Sequence, residues 1–528
     1  MCGIFFYKGN KYNLSSLSNS IDKVKSRGPD NTTIIEKNNM VMAFHRLSIM
    51  DTSDNGNQPM THPLDNDIIL MCNGEIYNHK DLISKYDFKD YKSQSDCEVI
   101  LWMYKEFGIE RTVKELDGVF SFVILDNRNN NENIIVARDA FGVRPLFINI
   151  ENEIFISSVL KGISDLTENS YQFPPGHYWT SDGNNFIRWY NNNYLITESV
   201  DNLGNIFHNI RQTLYKAIEK RMQSHREIGC LLSGGLDSSL VASLVSRNMT
   251  EGRLKTFSIG LEGAEDLKWA RIVAKHIDSD HHEVIVTEKE MLDAIPRVIQ
   301  EIESMDTTTV RASVPNYLVS KYIKENTDCT VIFQGDGADE VCGSYIYLAN
   351  APNANEFQIE CKSLLNNIHM YDVLRADRTI SCWGLEPRTP FLDIAFVKYY
   401  MSICPDAKLH SYGNIEKYLL RKAFEDTNIL PKEVLYRKKE ALSDGCSSNG
   451  NSWHTILQNH IDEKISDIDF ITHRGSYRNM TPKLKESLYY RRIFDKYYKD
   501  HVNCISNYWM PKWCGDIIDP SARVLKNY

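Results

Sequence analysis

Short apolar runs separated by turn-forming residues dominate the first part of the chain. Ile4–Tyr7, Val41–Phe44, Ile68–Cys72, Val119–Leu125, Ile134–Ala137 and Ile154–Ser157 are rich in β-branched and aromatic residues, and each reads as a strand. Two helices are expected among them, near Leu17–Ser26 and over Asp96–Phe107. In the second, Val99, Leu101, Trp102, Tyr104 and Phe107 fall roughly on one helical stripe. Residues 2–190 therefore predict an α+β layer fold dominated by sheet. The Asn-rich run Asn127–Asn133 reads as an exposed hairpin tip, and Asn191-Asn192-Asn193 as a linker.

From about Leu203 helix and strand alternate. Helix Ile206–Arg221 precedes strand Ile228–Leu232. Helix Ser238–Ser246, strand Leu254–Ile259, helix Leu267–Ile277, strand Glu283–Val286 and strand Cys329–Phe333 follow. Such alternation predicts an α/β domain over residues 203–528, a parallel sheet with helices on both faces. There is no internal repeat, and pattern alone leaves the fold of the last third open.

Bulk properties narrow the class. A chain of 528 residues is too long for one ordinary core. Its 42% apolar and 25% charged content is that of a globular protein, and a net charge of −10 argues against a nucleic-acid or membrane-surface footprint. No run reaches the ~18 apolar residues of a membrane span, and Met1–Lys8 lacks the basic start of a signal peptide. The 12 cysteines lack the spacing of a disulfide framework or zinc site, so most are expected as free thiols in a reducing, cytoplasmic setting.

Cys2 follows the initiator Met, whose removal is usual before a small residue. Removal leaves a thiol and an α-amine on one residue, and an amine of pKa near ~7.7–8.0 can serve as a base at neutral pH. Taken alone, a buried strand cysteine is the better reading. Its partners change that. At the end of a strand, the Asn73 amide and Gly74 N–H can both face a developing oxyanion, and glycine permits close approach. Arg46, in His45–Asp51, can grip a carboxylate bidentately, and Asp96 can accept an ammonium. Asp96 also directly precedes a helix and suits its N-cap, a role compatible with binding.

Met1-Cys2-Gly3-Ile4, Arg27-Gly28-Pro29-Asp30, Arg46-Leu47, Asn73-Gly74-Glu75, Leu116-Asp117-Gly118 and Ala137-Arg138-Asp139 through Arg144-Pro145-Leu146 together resemble the class II glutamine amidotransferase domain. The resemblance implies an αββα sandwich of the N-terminal-nucleophile hydrolase type. It also implies glutaminase chemistry at Cys2, Asn73 and Gly74, and a glutamine site at Arg46, Leu47, Ser48, Ile49, Met50, Asn73, Gly74, Glu75 and Asp96. One departure is Ser26, where family members often place His.

A second site lies in the α/β part. Strand Ile228–Leu232 runs into Ser233-Gly234-Gly235-Leu236-Asp237-Ser238-Ser239 and a helix. Two glycines let the backbone wrap so that several N–H groups face one anion at the helix N-terminus, serine hydroxyls add donors, and Asp237 is placed to hold Mg²⁺. No Gly-Lys-Ser/Thr ending completes the loop of phosphoryl-transfer enzymes. The loop is similar to that of the ATP pyrophosphatases. That likeness puts ATP near Leu232, Ser233, Gly234, Gly235, Asp237, Ser238, Ile259, Gln334 and Gly335, with Asp339 a second Mg²⁺ ligand. Both later strand ends lie where an open parallel sheet binds ligands.

Met305–Ser313 resembles the aspartate-side region of the asparagine synthetase family, which implies Thr308, Thr309 and Arg311 as aspartate ligands; on pattern alone a capped helix starting near Val310 competes with that reading. Arg437–Gly445 matches another signature of the family, which gives Lys439 the role of neutralising charge on the α-phosphate and departing pyrophosphate. Trp383–Asp393, Trp509-Met510-Pro511-Lys512-Trp513 and Asp519–Arg523 extend the likeness over essentially the whole chain. A β-lactam-synthetase-like relative shares both folds but typically lacks the N-terminal cysteine.

The implied reaction joins aspartate and ATP into β-aspartyl-AMP and pyrophosphate. Ammonia from glutamine then displaces AMP, travelling by an internal passage. A homodimer is expected by family analogy, with only small molecules as other partners. One departure bears on catalysis. The family's Ser-Gly-Glu-Gly-Ser-Asp-Glu is here Gln334-Gly335-Asp336-Gly337-Ala338-Asp339-Glu340. The glutamate held to assist adenylate formation and ammonia attack is thus Asp336, its reach shortened by about 1.5 Å. A misplacement of that size can cost ~100-fold in rate.

Overall fold

The computed structural model describes residues 1–37, 39–128, 132–448, 450–505 and 507–525, and for Leu442 the backbone alone. Asn129, Asn130 and Asn131 of the expected hairpin tip lie outside the described residues. Two compact units occur. One comprises Met1–Asn192, Gln223–Arg226 and Ser381–Glu386, and the other Asn193–Met222, Glu227–Ile380 and the chain from Pro387 onward.

The first unit holds two six-stranded sheets. One contains β1 (Gly3–Lys8), β2 (Asn31–Lys37) and β3 (Met40–Arg46); the other contains β4 (Met60–His62), β5 (Asp65–Ile76), β6 (Gly118–Asp126) and β7 (Asn133–Arg138). Short strands complete them: β8 (Phe147–Asn149), β9 (Ile154–Ser157), β10 (Tyr171–Gln172), β11 (His177–Thr180) and β12 (Phe186–Arg188). The orders are β10-β8-β9-β1-β3-β2 and β12-β11-β7-β6-β5-β4.

Period-two alternation builds the layers. Ile4, Phe6, Met42 and Phe44 of one sheet share a core with Met71, Val123, Leu125 and Val136 of the other. The intervening Leu70, Cys72, Phe122 and Ile124 point the opposite way, onto Val99, Ile100 and Met103 of helix Glu98–Glu115. Helix Leu14–Asp22 buries Leu17 and Ile21, and His45 Nε2 reaches Ile21 O at 2.9 Å. The arrangement is the expected αββα sandwich. Six strands have no counterpart among the expected ones: β2, β4, β8, β10, β11 and β12. All but β2 and β11 are two or three residues long, and edge strand β2 alternates half-buried and exposed positions.

The second unit is built on a five-stranded sheet ordered β15-β14-β13-β16-β17: β13 (Ile228–Leu231), β14 (Lys255–Leu261), β15 (Asp280–Val286), β16 (Val331–Phe333) and β17 (Glu386–Arg388). The pairs β13–β14, β13–β16 and β14–β15 are parallel, as the alternation predicts. Helices Leu236–Asn248 and Glu265–His276 make the crossovers. Helix Thr307–Asn326 starts three residues before the expected Val310 because Asp306 caps it. The twelve cysteines are all unpaired thiols. Among the described residues no helix is long and apolar enough to cross a membrane.

Candidate active sites

In the first unit Cys2 stands at the start of β1, whose pairing with β3 sets Gly3 opposite His45. The Cys2 N–H donates to Asn73 Oδ1 at 2.8 Å, and the thiol points to Leu47 O at 3.8 Å. Burial raises the Cys2 pKa, and the adjacent N-terminal ammonium and Arg46 oppose that rise. With Asn73 Oδ1 engaged, its Nδ2 is buried and without a partner among the described residues. An uncommitted amide donor beside a thiol is the arrangement an oxyanion needs. Gly74 follows where β5 passes close to β6, and a Cβ there would meet Val119 O at 2.5 Å.

Met1 is buried as well, its ammonium 3.0 Å from Glu386 Oε2. Arg27 fixes this corner, its Nε donating to Cys2 O at 3.1 Å and its Nη1 to Ser381 Oγ at 2.8 Å.

Arg46 is buried rather than on the surface. Its Nη1 donates to Ser53 O at 2.7 Å and Asn57 Oδ1 at 2.8 Å, and its Nη2 to Met50 O at 3.4 Å and Asp51 O. The guanidinium thus shapes the loop after Leu47-Ser48-Ile49-Met50, and a side chain on Gly56 would collide with it. Ser48 N–H is held by Asp30 Oδ2 at 2.9 Å. Glu75 is buried. Asp96 is not the helix cap expected of it. Cys97 occupies that position, with no side-chain cap bond, while Asp96 Oδ2 accepts the Ile76 N–H at 2.5 Å. Asp96 sits on the β5 side instead, because the chain turns once more before the helix, and burial raises its pKa.

In the second unit a cavity of about 280 Å³ opens at the carboxyl ends of β13 and β16. Ser233, Gly235, Asp237 and Ser238 line it. Ser233 Oγ and Ser238 Oγ lie 3.0 Å apart, and Gly235 N–H points to Ser233 Oγ at 3.3 Å, so the loop closes on itself at the start of helix Leu236–Asn248. Gly234 has φ +70°, and any Cβ there would run into the Trp269 backbone, so only glycine fits. Gly335 packs against Asp237 and Ser238, and Gln334 and Gly335 line the cavity. Three expected nucleotide residues do not line it. Leu232, just past β13, and Ile259, in β14, are buried, Leu232 N–H binds Phe257 O at 2.7 Å, and Gly234 faces Trp269.

Asp237 and Asp339 meet here through cations. Lys417 Nζ is 2.5 Å from both Asp237 Oδ2 and Asp339 Oδ1, and Lys439 Nζ is 2.6 Å from Asp339 Oδ2. Burial would lift Asp339, but Lys417 and Lys439 outweigh it and hold the carboxyl far below its ordinary range. Asp237 is raised by burial despite Lys417. Lys417 escaped the sequence reading, since Glu416-Lys417 looks like solvated surface. Asp237 Oδ1 is buried without a partner among the described residues. One free carboxylate oxygen beside a second carboxylate suits Mg²⁺, which is commonly held by one or two carboxylates plus substrate phosphates.

Asp336, Thr308 and Thr309 also line the cavity. Arg375 Nη2 is 2.5 Å from Asp336 Oδ1 and 2.8 Å from Asp372 Oδ1. Burial raises the Asp336 pKa even with Arg375 opposite. Thr309 is drawn to Asp306 Oδ2, its N–H at 2.9 Å and its hydroxyl at 2.7 Å.

Arg311 is engaged away from the cavity. Its Nε and Nη2 grip Glu486 at 2.8 and 2.6 Å, and its Nη1 and Nη2 reach Asp519 at 2.9 and 3.2 Å. It does not line the cavity. All three nitrogens are taken by carboxylates from distant parts of the chain, so Arg311 is a buried structural ion pair.

Both halves of the chain match known families. Residues 1–178 match the Glutamine amidotransferase domain family, and residues 209–364 and 349–518 match the Asparagine synthase family. The chain is 42% identical to asparagine synthetase [glutamine-hydrolyzing] of Gallus gallus and 41% identical to that of Cricetulus griseus. Each match covers 100% of this chain and 99% of the relative. Identity to the Homo sapiens protein of the same name is 40% over the same extents.

Proposed function

We propose that this chain, which belongs to the glutamine-hydrolysing asparagine synthetase family, converts aspartate to asparagine with ATP and the amide nitrogen of glutamine. The observation that carries the reading is the pairing in one chain of a buried Cys2 beside an uncommitted Asn73 amide with a loop-and-carboxylate cavity that holds Asp237, Asp339 and two lysines.

Loss of Met1 would give Cys2 its own α-amine as base and free the Glu386 carboxylate of its present ammonium. The thiolate adds to the glutamine side-chain amide, and Asn73 Nδ2 and the Gly74 N–H stabilise the oxyanion. Ammonia leaves, and water releases glutamate from the thioester. Arg46 shapes the loop 47–57 around the glutamine, with Glu75 and Asp96 close by.

In the second unit the loop Ser233–Ser238 takes the phosphates, and Gln334 and Gly335 line the nucleotide's approach. The aspartate β-carboxylate attacks the α-phosphorus, pyrophosphate departs against Lys439, and β-aspartyl-AMP forms. Ammonia then replaces AMP, with Asp336 assisting. Asp237 and Asp339 would hold Mg²⁺, which supplies charge neutralisation on the phosphates when bound. Thr308 and Thr309 border the aspartate. A cytoplasmic homodimer fits the family and a chain of free thiols.

Supplying glutamine labelled with ¹⁵N in the amide should give labelled asparagine with AMP and pyrophosphate in equal amounts, and Cys2→Ala should make asparagine from ammonia alone. Glutaminase activity without aspartate-dependent pyrophosphate release would sink the reading, and ADP as product would sink the adenylate.

A further inference from the structure

Arg311, paired with Glu486 and Asp519 and absent from the cavity lining, leaves open which residue anchors the aspartate α-carboxylate. A buried carboxylate needs a cation or several donors to repay its lost hydration. Three guanidinium groups line the cavity: Arg375, Arg421 and Arg437. Arg421 has every nitrogen engaged, with Nε on Glu416 O at 2.9 Å, Nη1 on Leu435 O at 2.5 Å and Nη2 on Glu416 Oε1. Arg437 braces the wall of the cavity, its Nη1 on Ser233 O at 3.1 Å and its Nη2 shared by Asp266 at 2.7 Å and Glu440 at 2.8 Å. It also covers the Trp269 ring at 5.3 Å, which fixes its plane.

Arg375 differs. Both of its hydrogen bonds leave from one nitrogen, Nη2, to Asp336 and Asp372. Among the described residues no acceptor meets its Nη1 or Nε, although the residue is only 6% exposed. The two carboxylates fix the guanidinium from one side and leave its remaining edge for a ligand.

The surroundings are unpartnered in a matching way. Asn316, on helix Thr307–Asn326, lines the same cavity at 3% exposure, and its Nδ2 donor has no acceptor among the described residues. Thr308 Oγ1, two turns earlier on that helix, is likewise buried and unpaired. Buried polar atoms are nearly always satisfied, so orphans gathered at one cavity mark where a ligand supplies the missing partners. A cation, an amide donor and a hydroxyl together suit a small carboxylate. Asp372 and Asp336, beside the guanidinium, suit the ammonium of the same amino acid.

The geometry points to Arg375, with Asn316 of the same cavity lining, as the anchor of the aspartate α-carboxylate, and to Arg311 as a brace of the scaffold only. This assignment rests on the synthetase reading above. It also gives Asp336 a second role, since the acid assigned to catalysis aims the residue that holds the substrate.

The test is steady-state pyrophosphate release by the full-length enzyme with aspartate varied at saturating ATP, and with ATP varied at saturating aspartate. Arg375→Lys, which keeps the charge but loses the planar fork, should raise the aspartate KM about 30–100-fold while the ATP KM moves less than about threefold. Asn316→Leu should raise the aspartate KM about tenfold, and it decides the matter if Arg375→Lys fails to fold. Arg311→Lys should lower the melting temperature and leave the aspartate KM within about threefold. An unchanged aspartate KM in the folded position-375 variant, or in the position-316 variant where only that one folds, overturns the assignment; so does a large rise confined to Arg311→Lys. Absence of aspartate-dependent pyrophosphate release from the unaltered enzyme would instead overturn the synthetase reading itself.

Discussion

Asp237 and Asp339, in the first turns of helices Leu236–Asn248 and Ala338–Cys342 of the second unit, share a single ammonium: Lys417 Nζ lies 2.5 Å from an oxygen of each. Two carboxylates this close repel unless a cation stands between them, and Lys439 supplies a second at 2.6 Å from Asp339. Lysine serves as built-in counter-charge for a pair that suits Mg²⁺ and phosphate. Lys417→Met should therefore cost the synthetase step about 100-fold or more and weaken the folded unit, since it leaves Asp237 without its cation and Asp339 with Lys439 alone. Pyrophosphate release per folded enzyme is the measurement, and a variant within threefold of the parent would refute the bridging role.

Asp336 already lies 2.5 Å from the Arg375 nitrogen that holds it. A glutamate would push one more methylene into this contact or turn its carboxylate away. Asp336→Glu should lower kcat about tenfold rather than raise it, because overpacking a fitted site disturbs the geometry. A gain in kcat would mean that the shorter acid is a natural attenuation.

Arg311 neutralises Glu486 and Asp519 in a site where its own side chain is 5% exposed. Arg311→Ala leaves two carboxylates without their cation and should destabilise the second unit by about 3–5 kcal/mol. Chemical denaturation would reveal it as an earlier transition, and an unshifted midpoint would contradict the pairing.

Lys408 is buried with its ammonium on Gln358 Oε1 at 2.6 Å, and burial lowers its pKa from 10.5 to about 8. Because the folded value is the lower one, the native state binds this proton less tightly than the unfolded chain. The resulting penalty is fully present below pH 8 and fades as pH climbs from 8 to 10.5. Lys408→Met should gain about 2 kcal/mol at pH 7, the relief of about 3 less about 1 for the orphaned Gln358 oxygen. The gain should vanish by pH 10.5. Equal gains at neutral pH and near the upper end of that window would show that charge burial is not the cause.

For the glutaminase, a processed Cys2 amine must be neutral to act as base. Glutamine hydrolysis should rise with pH through about 7.7–8.0 and then level. Enzyme that retains Met1 should lack it altogether, because Met1 is buried with its ammonium on Glu386. Comparing N-terminal mass with glutamate release at several pH values checks both.

Residue patterning alone was enough to specify a sheet-dominated α+β layer fold and a parallel sheet with helices, while the αββα sandwich and most of the site residues came with the family resemblance. Period-two alternation splits Leu70 and Cys72 from Met71 onto opposite faces, and the loop at Ser233–Ser238 carries its conformation in its own glycines. Such signals are local, written in residues that touch because they are neighbours. Which charges meet is settled by the folded chain instead. Nothing near Arg311 announces that Glu486 and Asp519 will claim it. Nor do the residues around Lys417 or Arg375 show that the first will bridge two acids and the second will keep two nitrogens uncommitted. A guanidinium reads the same in sequence whether its partner is substrate or scaffold, because pairing over long separations is set by how the chain packs and buries its acids.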